Sequence, residues 1–306
     1  MTTEQGTSAH DAEPDQRNDN ILIYVNGEIV PRADARVSVY DSGFMLGDGV
    51  WEGLRLHAGA WGFLDDHLDR LFAALKAIDL NPGMDRGDII AALEATQVAN
   101  GMSDHAHARL MITRGVKGRP FQHPDLSSSG PTVVIIVEHS LPIVHSRGLR
   151  LFTVPIVRGL PNSQDTTLNT HSKLNCILAG IHAAKAGADE ALMLDPLGFV
   201  NTTNSCNFFI VRRGEVWTSS GDYCLNGITR GKVIELCQAN HIPVSQRNFS
   251  LADVYGAEEA FLTGTFSGLT PVADIDGRGF GDGGPGKTTR RLSVLYDELV
   301  HTGAPI

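Results

Sequence analysis

Cysteine is scarce in this sequence: Cys176, Cys206, Cys224 and Cys237 stand apart, with no Cys-x-x-Cys pair. That spacing gives neither a disulfide framework nor a thiolate zinc site, and it suits a reducing compartment. Basic residues are also in deficit, since 25 Lys and Arg face 35 Asp and Glu for a formal net charge of −10. With no basic stripe interleaved with aromatics, nucleic acid and anionic membrane surfaces are poor partners. No apolar run approaches the ~20 residues of a membrane-spanning helix. The first residues are polar and acidic, unlike a signal peptide, so a cytoplasmic protein is expected.

What remains is ordinary globular material, 42 % hydrophobic and 20 % charged over 306 residues. This length allows two medium domains, or one large one, with a core able to support a cofactor cleft. Residues 1–19 carry no periodic apolar pattern and read as a disordered tail. Order is expected from Ile21, where Ile21–Val25 and Glu28–Pro31 flank Asn26-Gly27, a strong hairpin signal. Leu68, Leu71, Phe72, Leu75 and Ile78 recur at helical spacing behind Asp65 and Asp66, so a helix is predicted over 65–80. A second helix is expected over 86–99, then strands at 107–114, 132–138 and 150–157.

The stretch Arg158–Ser172 lacks an apolar pattern and reads as a connection. Beyond it the sequence predicts a helix over 174–186 stopped by Gly187, and a strand at 190–195. A hairpin of 208–211 with 215–218, a helix over 229–240, short strands to about 272 and a last helix over 286–301 follow. Strands and helices mix without strict βαβ alternation, which indicates α+β. His105-Ala-His107 fits one face of a strand, and no metal site is expected there.

Several residues carry potential chemistry. In Asn226-Gly227-Ile228-Thr229-Arg230 a glycine turn opens a helix, whose unpaired N–H groups and dipole bind anions. Thr263-Gly264-Thr265 places hydroxyls at a strand end, a second anion contact. Arg70 lies beside the apolar stripe of its helix, either as a snorkelling side chain or as a fixed cation for phosphate. Lys173 stands just before an apolar helix, where desolvation lowers an ammonium pKa, as a Schiff-base lysine requires.

Taken in order, Gly47-Asp48-Gly49-Val50-Trp51-Glu52-Gly53, His67-x-x-Arg70-Leu71, Gly187-Ala188-Asp189-Glu190-Ala191, Gly227-Ile228-Thr229-Arg230 and Thr263-Gly264-Thr265…Thr270-Pro271-Val272 resemble the class IV (fold type IV) aminotransferases. That family includes branched-chain and D-amino-acid aminotransferases. The resemblance runs from about Ile21 to Leu299. It implies a two-domain α+β fold: a smaller N-terminal α/β domain over 20–145, a connection over 146–162, and a larger C-terminal domain over 163–306 with a barrel-like sheet. It also implies pyridoxal 5′-phosphate (PLP) between the domains and a homodimer. The implied activity is ping-pong transfer, through pyridoxamine phosphate, from a small amine or amino acid to a keto acid. Arg70, Gly227, the backbone of Ile228 and Thr229, and Thr265 would hold the cofactor phosphate. Trp51 would line the substrate pocket and Arg119 would anchor a substrate carboxylate.

Two positions depart from the family. Counted back from Gly187, the Schiff-base lysine falls on Asn169, and the nearby lysine is Lys173, four residues on. A helix including 169–173 would lean Lys173 back toward the same point, or a deletion in the connection would place it there directly. Lys173 is therefore expected to be the catalytic amine. Thr202 stands where the family has a glutamate facing the pyridine nitrogen, so the ring is expected to be a weaker electron sink. Thr202 keeps a PLP-dependent lyase or racemase open, and Asn169 keeps open a PLP-binding protein that forms no covalent link.

Overall fold

The computed structural model describes residues 8–143 and 147–302. These fall into two compact units, one of Ala12–Leu141 with Leu168–Lys173, the other containing the remaining described residues.

The first unit begins with the expected hairpin, β1 (Leu22–Val25) and β2 (Glu28–Pro31), with Asn26 and Gly27 both at positive φ. A short helix α1 (Ser42–Leu46) is capped by the Asp41 side chain and ends on Gly47 at φ 69°. Strand β3 (Gly49–His57) pairs with β4 (Ala60–Trp61), and the amphipathic α2 (Leu64–Ala77) follows. Next come α3 (Arg86–Ala99), which opens on an Asp85/Asp88 capping box, β5 (Ala106–Thr113) and β6 (Thr132–His139). The strands form one antiparallel sheet, ordered β2-β1-β6-β5-β3-β4. Helix α2 packs on β3 and α3 packs on β6. Leu54, Leu56, Leu68, Leu71, Leu75, Ile89, Leu93, Leu110 and Ile135 form the core between them. At about 1.5–3 kcal/mol for each large aliphatic side chain fully buried, this core is what keeps β3 and α2 in fixed register.

Sequence pattern does not signal β3, because it is buried along nearly its whole length and two of its buried residues, Glu52 and Arg55, are charged. Period-2 alternation marks only a half-buried strand.

The second unit contains β7 (Leu149–Thr153), α4 (Leu174–Lys185), β8 (Glu190–Leu194), β9 (Val200–Thr203), β10 (Asn207–Arg212) and β11 (Glu215–Thr218). After these come α5 (Ile228–Ala239), β12 (Val244–Gln246), α6 (Leu251–Tyr255), β13 (Glu259–Gly264), β14 (Gly268–Ile275), β15 (Arg278–Gly279) and α7 (Lys287–Thr302). The order β10-β13-β14-β7-β8-β9 returns to β10 through the Thr202–Asn207 pair, which closes a six-stranded barrel. Strand β10 reaches both neighbours on one edge by pairing β9 at its first residue and β11 from Phe209 onward. Leu151, Leu192, Phe208, Ile210, Leu262, Val272 and Ile275 lie in its core.

Strand β7 stops at Thr153, short of the expected 157, because Pro155 has no N–H for the ladder. It also lies inside the expected 146–162 connection: the units divide at Leu141/Pro142, and Leu168–Lys173 belongs with the first. Of the segment expected to be a disordered tail, residues 1–7 fall outside the described residues, whereas 8–19 are placed. Ala9 is buried in the second unit's core, and its N–H and the Ser8 hydroxyl donate to Glu190 Oε1 at 3.4 and 3.2 Å. In the first unit Asn18 exchanges two hydrogen bonds with the His139 backbone, both 2.8 Å. These are single polar anchors that no apolar periodicity announces.

Candidate functional site

In the first unit, Glu52 on β3 meets two residues of α2 one turn apart. His67 Nδ1 lies 2.7 Å from Glu52 Oε2, and Arg70 donates from Nε to Oε1 at 2.8 Å and from Nη2 to Oε2 at 2.7 Å. Glu52 and His67 are each 1 % exposed and Arg70 18 %. Burial alone would raise the Glu52 carboxyl, but the hydrogen bonds and charges of Arg70 and His67 outweigh it and hold the group below its ordinary range. Arg70, expected as a phosphate cation, therefore has much of its fork committed to Glu52. Nothing in the sequence pairs Glu52 with Arg70, which lie 18 residues apart on different elements.

Asn169 to Lys173 run beside β3. Trp51 N–H donates to Asn169 O at 3.0 Å, His171 N–H donates to Gly49 O at 2.9 Å, and Val50 bridges Thr170. Helix α4 begins at Leu174, as the sequence predicts, so of the two ways considered for bringing Lys173 to the Asn169 position the helical turn over 169–173 does not form; those backbone groups are taken by the strand. The two side chains meet nonetheless. Lys173 Nζ donates to Asn169 Oδ1 at 3.1 Å, and Asn169 Nδ2 donates to Trp51 O at 2.8 Å. The Lys173 ammonium lies 5.8 Å from the Trp51 ring, whose Nε1 donates to Thr170 O. Gly47 fits here because Ser172 lies against it: a Cβ would come within 2.6 Å of Ser172 Oγ, and φ 69° already favours glycine.

Two residues beside this group have no signal in the sequence. Arg109 on β5 lays its guanidinium 3.9 Å over the Trp51 ring, exposed and with no ion pair among the described residues. His171 has its pKa lowered by burial first and then by the charge of Arg109, so it is neutral at pH 7, with Nε2 buried and without a partner. One is a charged residue inside an apolar strand and the other sits in a segment without periodicity, so neither stands out along the chain. Arg119, expected as a carboxylate anchor, sits exposed before Pro120 with no side-chain hydrogen bond among the described residues. Arg114 in the same loop is taken by Asp48, Nε to Oδ2 at 2.8 Å, and by the Ile78 carbonyl.

In the second unit, Asn207 organises the expected cofactor residues. It pairs with Thr202 on one side and Thr263 on the other, and its Nδ2 donates to Leu225 O at 2.8 Å, bracing the turn before α5. Gly227 caps α5 with extended backbone and no side-chain acceptor, leaving the Ile228 and Thr229 N–H groups uncapped. A Cβ on Gly227 would run into Asn207 Oδ1. Thr229 Oγ1 lies 3.1 Å from Tyr296 OH of α7. Thr263 Oγ1 is buried without a partner, and Thr265 follows in the turn between β13 and β14.

Thr202 Oγ1 donates to Cys206 O at 2.8 Å, which commits its proton and leaves it an acceptor toward anything else. These donors suit a phosphate: an uncapped helix N-terminus, a glycine cradle and hydroxyls. In the first unit Lys173 presents an amine held by a neutral amide. Thr202 offers a hydroxyl where the resemblance implies a carboxylate. The second unit's donors suit the phosphate of PLP, and the first unit's Lys173 is an amine of the kind its aldehyde takes.

Among the described residues no group of three or more His, Cys, Asp or Glu could hold a metal ion, and no helix is long and apolar enough to cross a membrane.

The family profile described as amino-transferase class IV matches residues 49–275. The branched-chain-amino-acid aminotransferase-like protein 2 of Arabidopsis thaliana is 41 % identical over 295 residues, which cover 96 % of this chain and 53 % of that protein. The chain thus spans about half the length of that relative. A branched-chain-amino-acid aminotransferase of Pseudomonas aeruginosa is 31 % identical over 294 residues, covering 91 % of this chain and 92 % of its own. The crystal structure of the T.th. branched-chain amino acid aminotransferase with pyridoxamine 5′-phosphate superposes with a TM-score of 0.87 at 28 % identity, covering 94 % of this chain and 96 % of that one.

Proposed function

This chain belongs to the class IV aminotransferase family and has its fold, and on that footing we propose that it is a PLP-dependent aminotransferase. It would move an amino group from a small amine or amino acid to a keto acid in ping-pong order. The observation that supports this is the Lys173 amine, 3.1 Å from the carboxamide of Asn169, the residue on which an ungapped count puts the family's lysine.

When bound, PLP supplies an aldehyde carbon for an amine and a ring that accepts the electron pair left when a substrate proton departs. Lys173 Nζ is the amine of this chain that would take that aldehyde, and it would serve as the base and acid that holds the substrate proton. The N–H groups of Ile228 and Thr229, uncapped after Gly227, and the Thr265 hydroxyl would hold the phosphate. Arg70, whose charge Glu52 already balances, has less to offer an anion than a lone arginine would. Trp51 lines the substrate side. Arg109 and Arg119 are the cations available to a substrate carboxylate.

Thr202 supports a second reading. Its hydroxyl accepts but holds no negative charge, so a pyridine nitrogen beside it stays less protonated and the ring a weaker sink. A lyase or racemase leans less on that sink. The homodimer is supported by Leu174, Ile177, Leu178 and Ile181, which form an exposed apolar stripe on α4.

Single-turnover spectra of the PLP-loaded protein with a panel of both enantiomers of amines and amino acids test the assignment. Accumulation of pyridoxamine phosphate with at least one donor is expected. Keto acid and ammonia released without an acceptor would favour the lyase, and inversion alone the racemase.

A further inference from the structure

From the contacts of one carboxamide we infer that Asn169 is a positioning residue that aims the Lys173 amine. The inference rests on the proposed role of Lys173, and it adds what holds that amine in place.

Asn169 is 4 % exposed, and its amide has only one productive orientation. The Trp51 carbonyl can only accept, so it takes Asn169 Nδ2 at 2.8 Å, and Oδ1 is thereby turned to Lys173 Nζ at 3.1 Å. The backbone is fixed too, since Asn169 O accepts from Trp51 N–H. The carboxamide is therefore clamped to β3 at both its backbone and its side chain, and it offers one acceptor to a long, rotamer-rich side chain. Lys173 is half-buried and precedes the first residue of α4. A fixed acceptor narrows the positions that this long side chain's amine samples, and placement is worth much in a bond-forming step.

The acceptor is neutral, and this matters chemically. An amide oxygen takes an N–H from either the ammonium or the free amine, so it orients the nitrogen without locking a proton onto it. A carboxylate at this place would favour the ammonium. Beside the pair in this unit are His171, whose pKa is lowered by burial and by Arg109, and Arg109 itself over the Trp51 ring. Asp41 acts on His171 from α1's cap, with its oxygens accepting from Gly43 N–H and the Thr113 hydroxyl.

The test is borohydride trapping of PLP on the full chain, with peptide mapping, as a function of pH for the wild type, N169D and N169A. N169D is isosteric, and thermal unfolding of both variants reports their folding independently. In the wild type the pyridoxyl group is expected on Lys173. N169A should trap there roughly tenfold or more slowly. N169D keeps an acceptor for Lys173 but loses the donor to the Trp51 carbonyl, so it should trap at Lys173 more slowly than the wild type and with its half-maximal pH about one unit or more higher, a shift that a merely structural role for Asn169 would not produce. Wild-type rate and pH profile in both variants, with Lys173 still labelled, would overturn the positioning role alone. A wild type labelled elsewhere, or not at all, would overturn the Lys173 assignment and this inference with it.

Discussion

Arg70 grips Glu52 through two hydrogen bonds of 2.8 and 2.7 Å, across the β3–α2 junction of the first unit. Because the carboxylate is buried, removing its cation leaves a charge with no water to solvate it. R70A should lose about 3–5 kcal/mol, the cost of breaking a buried pair, as read from denaturant unfolding. E52M with R70M together should recover much of that loss. If R70A unfolds at the wild-type denaturant midpoint, the pair has no structural weight.

The same carboxylate sets an acid limit. Burial would raise its pKa, but Arg70 and His67 bring the net value below the ordinary one. A depressed acid stabilises the fold fully above its unfolded pKa of about 4.5, and that contribution is lost as pH falls through the lower folded value. His171 acts in the same direction at higher pH. Its neutral form is favoured in the fold, so stability present above about 6.5 declines as pH falls from there toward its lowered pKa. Thermal melts from pH 8 to 3 should show two successive declines, and H171F should abolish the first while leaving the second.

T202E returns a carboxylate to the position beside the barrel closure. With PLP loaded, the half-reaction with an amino donor should accelerate by roughly tenfold, about 1.4 kcal/mol at the barrier. Any ammonia release without an acceptor should fall. Unchanged partition between the two would show that residue 202 does not set the chemistry.

The apolar stripe on α4 leads to an assembly prediction. I177D combined with I181D should convert a dimer to a monomer in sedimentation equilibrium, with helix content preserved. A wild type that sediments as one chain at micromolar concentration would remove the dimer proposal.

How much of this is legible in the sequence depends on the range of the interaction. The Asn26-Gly27 hairpin, the α2 stripe through Leu68, Leu71 and Leu75, and the uncapped start of α5 after Gly227 are local, and short-range chemistry fixes them. The connection read over 158–172 has no periodicity to show that residues 169–171 run beside β3 and share its backbone hydrogen bonds, with Trp51 lying 118 residues from Asn169. The Glu52–Arg70 pair and the bracing of the α5 turn by Asn207 are likewise long-range and leave no periodic trace. The Gly47 motif is recognisable as a string of residues, but its reason, the close approach of Ser172, is visible only in three dimensions.

The most direct measurement is mass-spectrometric mapping of the borohydride-reduced PLP adduct on the unmodified chain. A single pyridoxyl group on the peptide that contains Lys173 is the expected result. An adduct confined to another lysine, or PLP that binds and washes away without leaving a covalent mark, would contradict it.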